Sequence, residues 1–381
     1  MRLFRDESKL SPEYVPSRLL HREKEMQLLL SFFKASHEPG AAYTVRCVIV
    51  GSVGTGKTSL AKLCGRLVEE EALRRGVKTK YIHVNCRIDR TLYLVLYRVA
   101  SELGIELPRR GYSDEEITQV IVKHLNKTGT RVIIGLDEAE VLHSEEGGEA
   151  FYILSRMAEE INIPGGFSLV TILREPEVLD KLDIPTKSTL LGSVIHLKEY
   201  NYKQLLDILL YRGEAAFHEG VVMDEAMELI ADVSSERGDA RYAIDLLWRA
   251  GKFAEAEEAE HVTPEHVRKA IASIFPTIRR ENLEYLSRDE KLVLLSCAHL
   301  LKDDRAYATS SELYTDYKLI CEELNLPPKG YTRFWEIMHK LQDLGFIRIK
   351  VRSEGIRGRR SIVSIPDIPA ALLEEELRKA L

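Results

Sequence analysis

The stretch GSVGTGKTS, residues 51–59, limits what this chain can fold into more than any other feature. It carries the spacing Gly51-x4-Gly56-Lys57-Thr58. It follows the apolar, β-branched run TVRCVIVG (44–51) and precedes SLAKLCGRLVEEEALRR, which has helical periodicity. A glycine-rich turn between a buried strand and a helix lets backbone N–H groups face an anion with no Cβ in the way, and the helix N-terminus favours negative charge. The expectation is a phosphate-binding loop in which Val53, Gly54, Thr55, Gly56 and Ser59 shape the cradle. Lys57 would reach the β- and γ-phosphates, and the Thr58 hydroxyl would take a Mg2+ coordination position. Strand, helix and Lys-Thr occurring together weigh against a chance match to a glycine-rich turn. The implied cofactors are ATP or ADP with Mg2+.

Four further short apolar runs, TKYIHVNC (79–86), TRVIIGLDE (130–138), FSLVTIL (167–173) and GSVIHL (192–197), alternate with helical stretches. Buried strands alternating with helices imply a parallel sheet covered on both faces. The third run ends in Asp137-Glu138. An acid at the C-terminal end of a neighbouring parallel strand can hold the metal's water shell, and the glutamate beside it can polarise an attacking water. Either carboxylate alone is more often an ordinary strand-end or cap residue; beside a P-loop they form a pair.

From residue 201 the pattern becomes purely helical, with Thr263 capping and Pro264 opening the last helix of that group. FPTIRRENLEYLSRDE (275–290) reads as a linker. Helical patterns at 288–302, 309–324 and 330–344 follow, and then GFIRIKV and RSIVSI flank a glycine-bearing basic tip. Three helices and a two-stranded hairpin are the order of a winged helix-turn-helix. The predicted fold is α/β: a P-loop parallel-sheet domain (1–200), a helical lid (201–278) and a terminal winged-helix domain (279–381).

The 381-residue chain has a net charge of -6, yet Lys329 to Ile362 holds nine Lys/Arg against three acids. Tyr331, Thr332 and Arg333 open a recognition-type helix, the part a helix-turn-helix offers to the major groove. Arg352, Arg357, Arg359 and Arg360 lie on or beside the hairpin tip, where they would meet phosphates or the minor groove of duplex DNA. A solvated basic hairpin, or a winged helix that contacts protein, is the competing reading. Five cysteines (47, 64, 86, 297, 321), widely spaced and never in a CxxC pair, fit a reducing cytosol. No apolar run could span a bilayer and no secretory signal is visible, so the expected location is cytoplasmic, with the nucleoid.

Several segments together resemble the archaeal origin-recognition and cell-division-control replication initiators, AAA+ ATPases with a C-terminal winged helix. They are YVPSRLLHREKEM (14–26), GTGKT (54–58), LPRRGYS (107–113), LDEAE (136–140), YNYKQLLDILLYR (200–212), GDARYAIDLL (238–247) and GIRGRRSIVSI (355–365). The resemblance implies that Val15, Pro16 and Arg22 lie against the adenine, that Tyr200 and Arg212 contact nucleotide, and that Arg241 is the sensor-2 arginine. It also implies that Arg109 and Arg110 touch DNA. The partners it implies are double-stranded origin DNA, the replicative helicase and paralogous initiator subunits. Two departures stand out. Arg174 occupies the position where relatives carry a sensor-1 asparagine, and DIPTKSTL (183–190), with Lys187 its only cation, replaces the arginine-finger segment. An arginine cannot accept a hydrogen bond from the attacking water, so a slow ATPase used as a switch is expected. A winged-helix P-loop ATPase of signalling or transcription is the alternative, and it would not be expected to carry RRGYS between the second and third strands.

Overall fold

The computed structural model describes residues 2–34, 44–108, 111–163, 166–174, 187, 193–274, 283, 285–302, 305–353 and 359–381; at 155, 156, 158, 159, 352, 353 and 359 it describes the backbone alone. Compactness divides the chain into two units, Val15–Tyr200 and Met1–Tyr14 with Asn201–Leu381.

In the first unit five parallel strands, β1 (Arg46–Val50), β2 (Thr79–Asn85), β3 (Arg131–Asp137), β4 (Phe167–Leu173) and β5 (Ser193–His196), run in the order β2-β3-β4-β1-β5. Strand alternation sends Val48, Val50, Ile134 and Leu136 to one apolar cluster and Cys47, Ile49, Ile133 and Ile172 to another. The first cluster is closed by α3 (Leu92–Glu102), α4 (Asp114–Thr128), α5 (Ala139–Glu146) and α6 (Glu149–Glu160), and the second by α1 (Glu23–Lys34) and α2 (Lys57–Arg74). A parallel sheet buried on both faces explains why these strands read as continuous apolar runs. One detail of the sequence reading changes: the strand bearing Asp137 is not paired with the P-loop strand, because β4 lies between them.

In the second unit α7 (Tyr202–Ala216), α8 (Asp224–Ser235), α9 (Ala240–Ala256) and α10 (Pro264–Ile274) form the helical lid. Residues 2–14 pack here rather than on the sheet: Phe4 stacks on Phe217 at 4.4 Å and the Arg5 amide donates to the Ala216 carbonyl at 2.8 Å. The apolar Leu3-Phe4 pair is what draws the N-terminus to the lid, both being buried.

The winged helix comprises α11 (Arg288–Leu301), β6 (Ala308–Thr309), α12 (Ser310–Glu323), α13 (Tyr331–Asp343), β7 (Arg348–Ser353) and β8 (Arg359–Ser364), followed by α14 (Ala370–Ala380). Capping boxes start α11 at Ser287 and α12 at Thr309. The strands form an antiparallel sheet ordered β6-β8-β7. Leu292, Tyr317, Phe334, Phe346 and Leu373 belong to its single core. All five cysteines are buried and free. Among the described residues no helix is long and apolar enough to cross a membrane.

Candidate nucleotide and DNA sites

The loop between β1 and α2 has the geometry its glycines predict. Gly54 and Gly56 adopt φ of 75° and 90°, which L side chains rarely reach and which a loop curling its amides around an anion requires. Thr55 is fully buried and its hydroxyl donates to the Ser52 carbonyl at 2.8 Å, bracing the loop from within. Lys57 opens α2, and its ammonium donates to the Gly51 and Ser52 carbonyls at 2.5 and 2.8 Å. Val53 projects to solvent, while Ser59 is half-buried in the first turn of α2.

The Thr58 hydroxyl donates to Asp137 Oδ2 at 2.7 Å. The two residues assigned to Mg2+ therefore meet although their strands are not paired. The Asp137 carboxylate is buried and further engaged: the Glu138 amide donates to Oδ1 at 3.0 Å, and His83 Nε2 stands 3.3 Å from Oδ2. Burial disfavours its charge, but hydrogen bonds from His83 and Thr58 outweigh that cost and hold its pKa below the ordinary carboxylate value. An ionised aspartate beside a threonine hydroxyl and the P-loop lysine suits a hard divalent cation carrying phosphate. The residues present thus fit a Mg2+–nucleotide.

Glu138 follows with φ 52° and ψ 44°, a left-handed conformation for a residue with a side chain. That conformation costs of order 1–3 kcal/mol. Two arginines engage its carboxylate. Arg87, just beyond β2, pairs with Glu138 Oε2 at 2.8 Å, and Arg174, just beyond β4, pairs with Oε1. Because β3 lies between β2 and β4, the carboxylate is gripped from both sides of its strand. Arg174 also reaches Glu140 at 3.7 Å; burial pushes the Glu140 carboxyl above its usual pKa. The sensor-1 departure is therefore the partner of the glutamate that would activate water. Sequence reading did not find Arg87.

On the other side of the loop Arg22, buried, donates to the Thr55 carbonyl at 3.1 Å and to the Lys198 carbonyl, and its guanidinium lies 4.0 Å above the Tyr200 ring. A Cβ on Gly56 would stand 3.0 Å from the Tyr200 hydroxyl oxygen. Pro16 is buried and its carbonyl accepts from Arg66 at 3.5 Å, with Val15 packed against the α1–α2 cluster. Val15, Pro16, Arg22 and Tyr200 thus belong to the same unit as the P-loop, and Arg22 and Tyr200 touch it. Arg212 and Arg241 belong to the other unit. Arg212 is buried in α7 with its guanidinium 4.8 Å from the Tyr14 ring, and Arg241 is exposed in the first turn of α9. Of 183–190 only Lys187 is described, and it is half-exposed.

In the winged helix Tyr331, Thr332 and Arg333 are exposed at the start of α13, whose N-cap, Gly330, makes no side-chain cap bond. Arg352 and Arg359 lie on β7 and β8 next to the hairpin tip, and Arg360, opposite Arg352, is exposed. Arg357, Arg109 and Arg110 lie outside the described residues. Several of the cations counted in this region are ion-paired. Arg348 pairs with Glu236 of α8's C-cap at 3.1 Å and Lys350 with Asp232 in α8. Lys340 pairs with Glu290 at 2.5 Å and Lys329 with Asp289 at 3.6 Å. Carboxylates distant in sequence thus engage four of the nine cations, and Glu336, one turn on in α13, engages a fifth, Arg333, at 2.6 Å.

Protein-family models match the chain in three consecutive segments: an AAA domain over residues 46–182, a Cdc6 AAA+ ATPase-type lid domain over 206–272, and a CDC6 C-terminal winged helix domain over 281–375. The ORC1-type DNA replication protein 2 of Sulfurisphaera tokodaii is 33% identical over 395 residues, covering 100% of this chain and 94% of that protein. The crystal structure of Cdc6p from Pyrobaculum aerophilum superposes with a TM-score of 0.84 at 29% identity, covering 99% of this chain and 98% of that one. The Aeropyrum pernix ORC1 protein, solved in complex with DNA, is 33% identical with a TM-score of 0.67, covering 100% and 97%. With likeness of this extent along its whole length, the chain belongs to the archaeal ORC1/Cdc6 family of DNA replication initiators, AAA+ proteins with a lid and a C-terminal winged helix.

Proposed function

We propose that this protein is a nucleotide-dependent initiator that binds double-stranded replication-origin DNA and helps recruit the replicative helicase, alone or with paralogous initiator subunits. The observation that carries the reading is the Thr58–Asp137 hydrogen bond inside a fully formed P-loop, on a chain that ends in a winged helix. A bound Mg2+–nucleotide supplies the phosphoanhydride and the divalent charge. Lys57, the loop amides and the start of α2 hold the phosphates, Thr58 and Asp137 hold the cation, and Arg22 and Tyr200, with Val15 and Pro16, border the base. Arg212 and Arg241 serve as lid contacts to the nucleotide, so that lid closure reports its γ-phosphate. Glu138, with both carboxylate oxygens in ion pairs, has no oxygen left unengaged to draw a proton from water, which supports slow hydrolysis and a switch rather than a motor. The working division is 1–200, 201–278 and 279–381. DNA contacts come from Tyr331, Thr332 and Arg333 on α13, from Arg352, Arg357, Arg359 and Arg360 of the wing, and from Arg109 and Arg110. The like-folded Aeropyrum protein solved with DNA supports the duplex as ligand.

Fluorescence anisotropy with origin-region and random duplexes of the same genome, across a salt series, tests this. The wild type should prefer the origin duplex, and Lys57→Ala should lose nucleotide while keeping DNA affinity. Replacing Arg357, Arg359 and Arg360 together should flatten the log K against log salt slope by about two to three units. Weak binding indifferent to both origin and wing would sink the reading and favour a winged helix that faces protein.

A further inference from the structure

We propose that Tyr81 and His83 form a buried relay that positions the Asp137 carboxylate for Mg2+-dependent nucleotide binding. This deepens the nucleotide reading above and rests on it. β2 pairs with β3 in register, His83 opposite Gly135 and Asn85 opposite Asp137. Tyr81 and His83, two residues apart on one strand, share a face. The Tyr81 hydroxyl lies 3.0 Å from His83 Nδ1, and His83 Nε2 lies 3.3 Å from Asp137 Oδ2.

One proton arrangement satisfies this chain with a neutral imidazole. The ionised Asp137 can only accept, so Nε2 carries the proton and donates to Oδ2. Nδ1 is then the acceptor, and the phenol donates to it. Burial raises the Tyr81 pKa well above its ordinary value, so the phenol keeps its proton. Adding Thr58 on Oδ2 and the Glu138 amide on Oδ1, three donors fix the carboxylate in one orientation. A histidine hydrogen-bonded to a metal-holding carboxylate is a second layer that sets ligand direction, and losing such a layer costs about 10–100-fold in metal affinity.

The surroundings are shaped for the relay. A Cβ on Gly65 of α2 would stand 2.2 Å from Tyr81 Cγ, and one on Gly135 of β3 would stand 2.3 Å from its hydroxyl oxygen. Both distances are far inside van der Waals contact, so the phenol fits only because the P-loop helix and the Asp137 strand are glycine where it passes between them. Neither glycine has a positive φ, so close approach to the phenol is the demand the structure places on them.

The test uses the full-length protein, a fluorescent ADP analogue and MgCl2. Affinity is measured in excess EDTA, and the half-saturating Mg2+ concentration is then found at fixed nucleotide. His83→Leu should raise that concentration about tenfold or more while leaving EDTA affinity within about twofold. His83→Gln, whose amide can replace the Nε2 donor, should recover most of the loss. Tyr81→Phe, which keeps the ring between the glycines, should give a smaller shift in the same direction. An unchanged Mg2+ requirement in folded His83→Leu, or equal loss with and without Mg2+, would overturn the proposal. If His83→Leu does not fold, an unchanged requirement in Tyr81→Phe would overturn it equally. A wild type that binds no nucleotide, or binds it with no response to Mg2+, would defeat the nucleotide reading itself and the relay with it.

Discussion

Arg268 of α10 is fully buried, and replacing it with methionine should loosen the lid from the winged helix. Its guanidinium donates to the carbonyls of Leu301 at 2.7 Å, Arg305 at 2.8 Å and Ile365 at 3.2 Å, and pairs with Glu265 at 3.1 Å. Glu265, one turn earlier, accepts from the amides of Ala370 and Ala371 at 3.1 and 3.3 Å, the first residues of α14. The cation therefore caps the C-terminal end of α11 while the anion caps the N-terminal end of α14, each matched to the helix dipole. Arg268→Met leaves a buried carboxylate without its partner and three carbonyls without their donor. Breaking a buried pair in this way costs about 3–5 kcal/mol. In a unit of this size each kcal/mol is worth about 2–4 °C, so the transition should fall by about 6–20 °C. The two tryptophans, Trp248 in α9 and Trp335 in α13, both lie in this unit, so their fluorescence during urea or thermal unfolding reports it selectively. Adding Glu265→Leu should restore only part of the loss, because removing the second charge does nothing for the orphaned backbone groups, about 1–3 kcal/mol each. A single variant melting within about 2 °C of wild type by tryptophan fluorescence would refute the reasoning.

Arg174→Asn should release one Glu138 oxygen and raise single-turnover ATP hydrolysis about tenfold; an unchanged or slower rate would show that Arg174 does not restrain the glutamate. Lys350→Ala should change the DNA salt slope by less than about one unit, because Asp232 already neutralises that ammonium; a full unit lost would mean the pair opens on DNA. For Glu312, burial opposes ionisation, but bonds from the Thr309 amide and hydroxyl and from Arg305 prevail and lower its pKa to about 2. A depressed carboxylate pKa adds stability above the unfolded value that is lost as pH falls, here between about 4.5 and 2. Glu312→Gln should therefore destabilise the winged helix at neutral pH and flatten its acid sensitivity over that window, as read by Trp335 fluorescence.

What was legible in the sequence is what neighbouring residues impose on one another. The P-loop spacing, the apolar runs of a doubly covered sheet and the three-helix-plus-hairpin order of the winged helix are all local, and each appears where expected. Strand order is not local, so nothing in the sequence places β4 between the P-loop strand and Asp137. Charge counting along the chain is limited for a related reason. It adds Arg348 and Lys350 to a local excess of positive charge, whereas Glu236 and Asp232, more than a hundred residues earlier, pair with them. The relay had a quieter signal. KYIHVN alternates Tyr81 and His83 on one face of a strand, and both the P-loop helix and the Asp137 strand carry an interior glycine, which local stability disfavours in each. A glycine that costs stability in a helix and another in a buried strand both point to a large side chain passing between them. Here that side chain is a tyrosine that ends on the histidine holding Asp137.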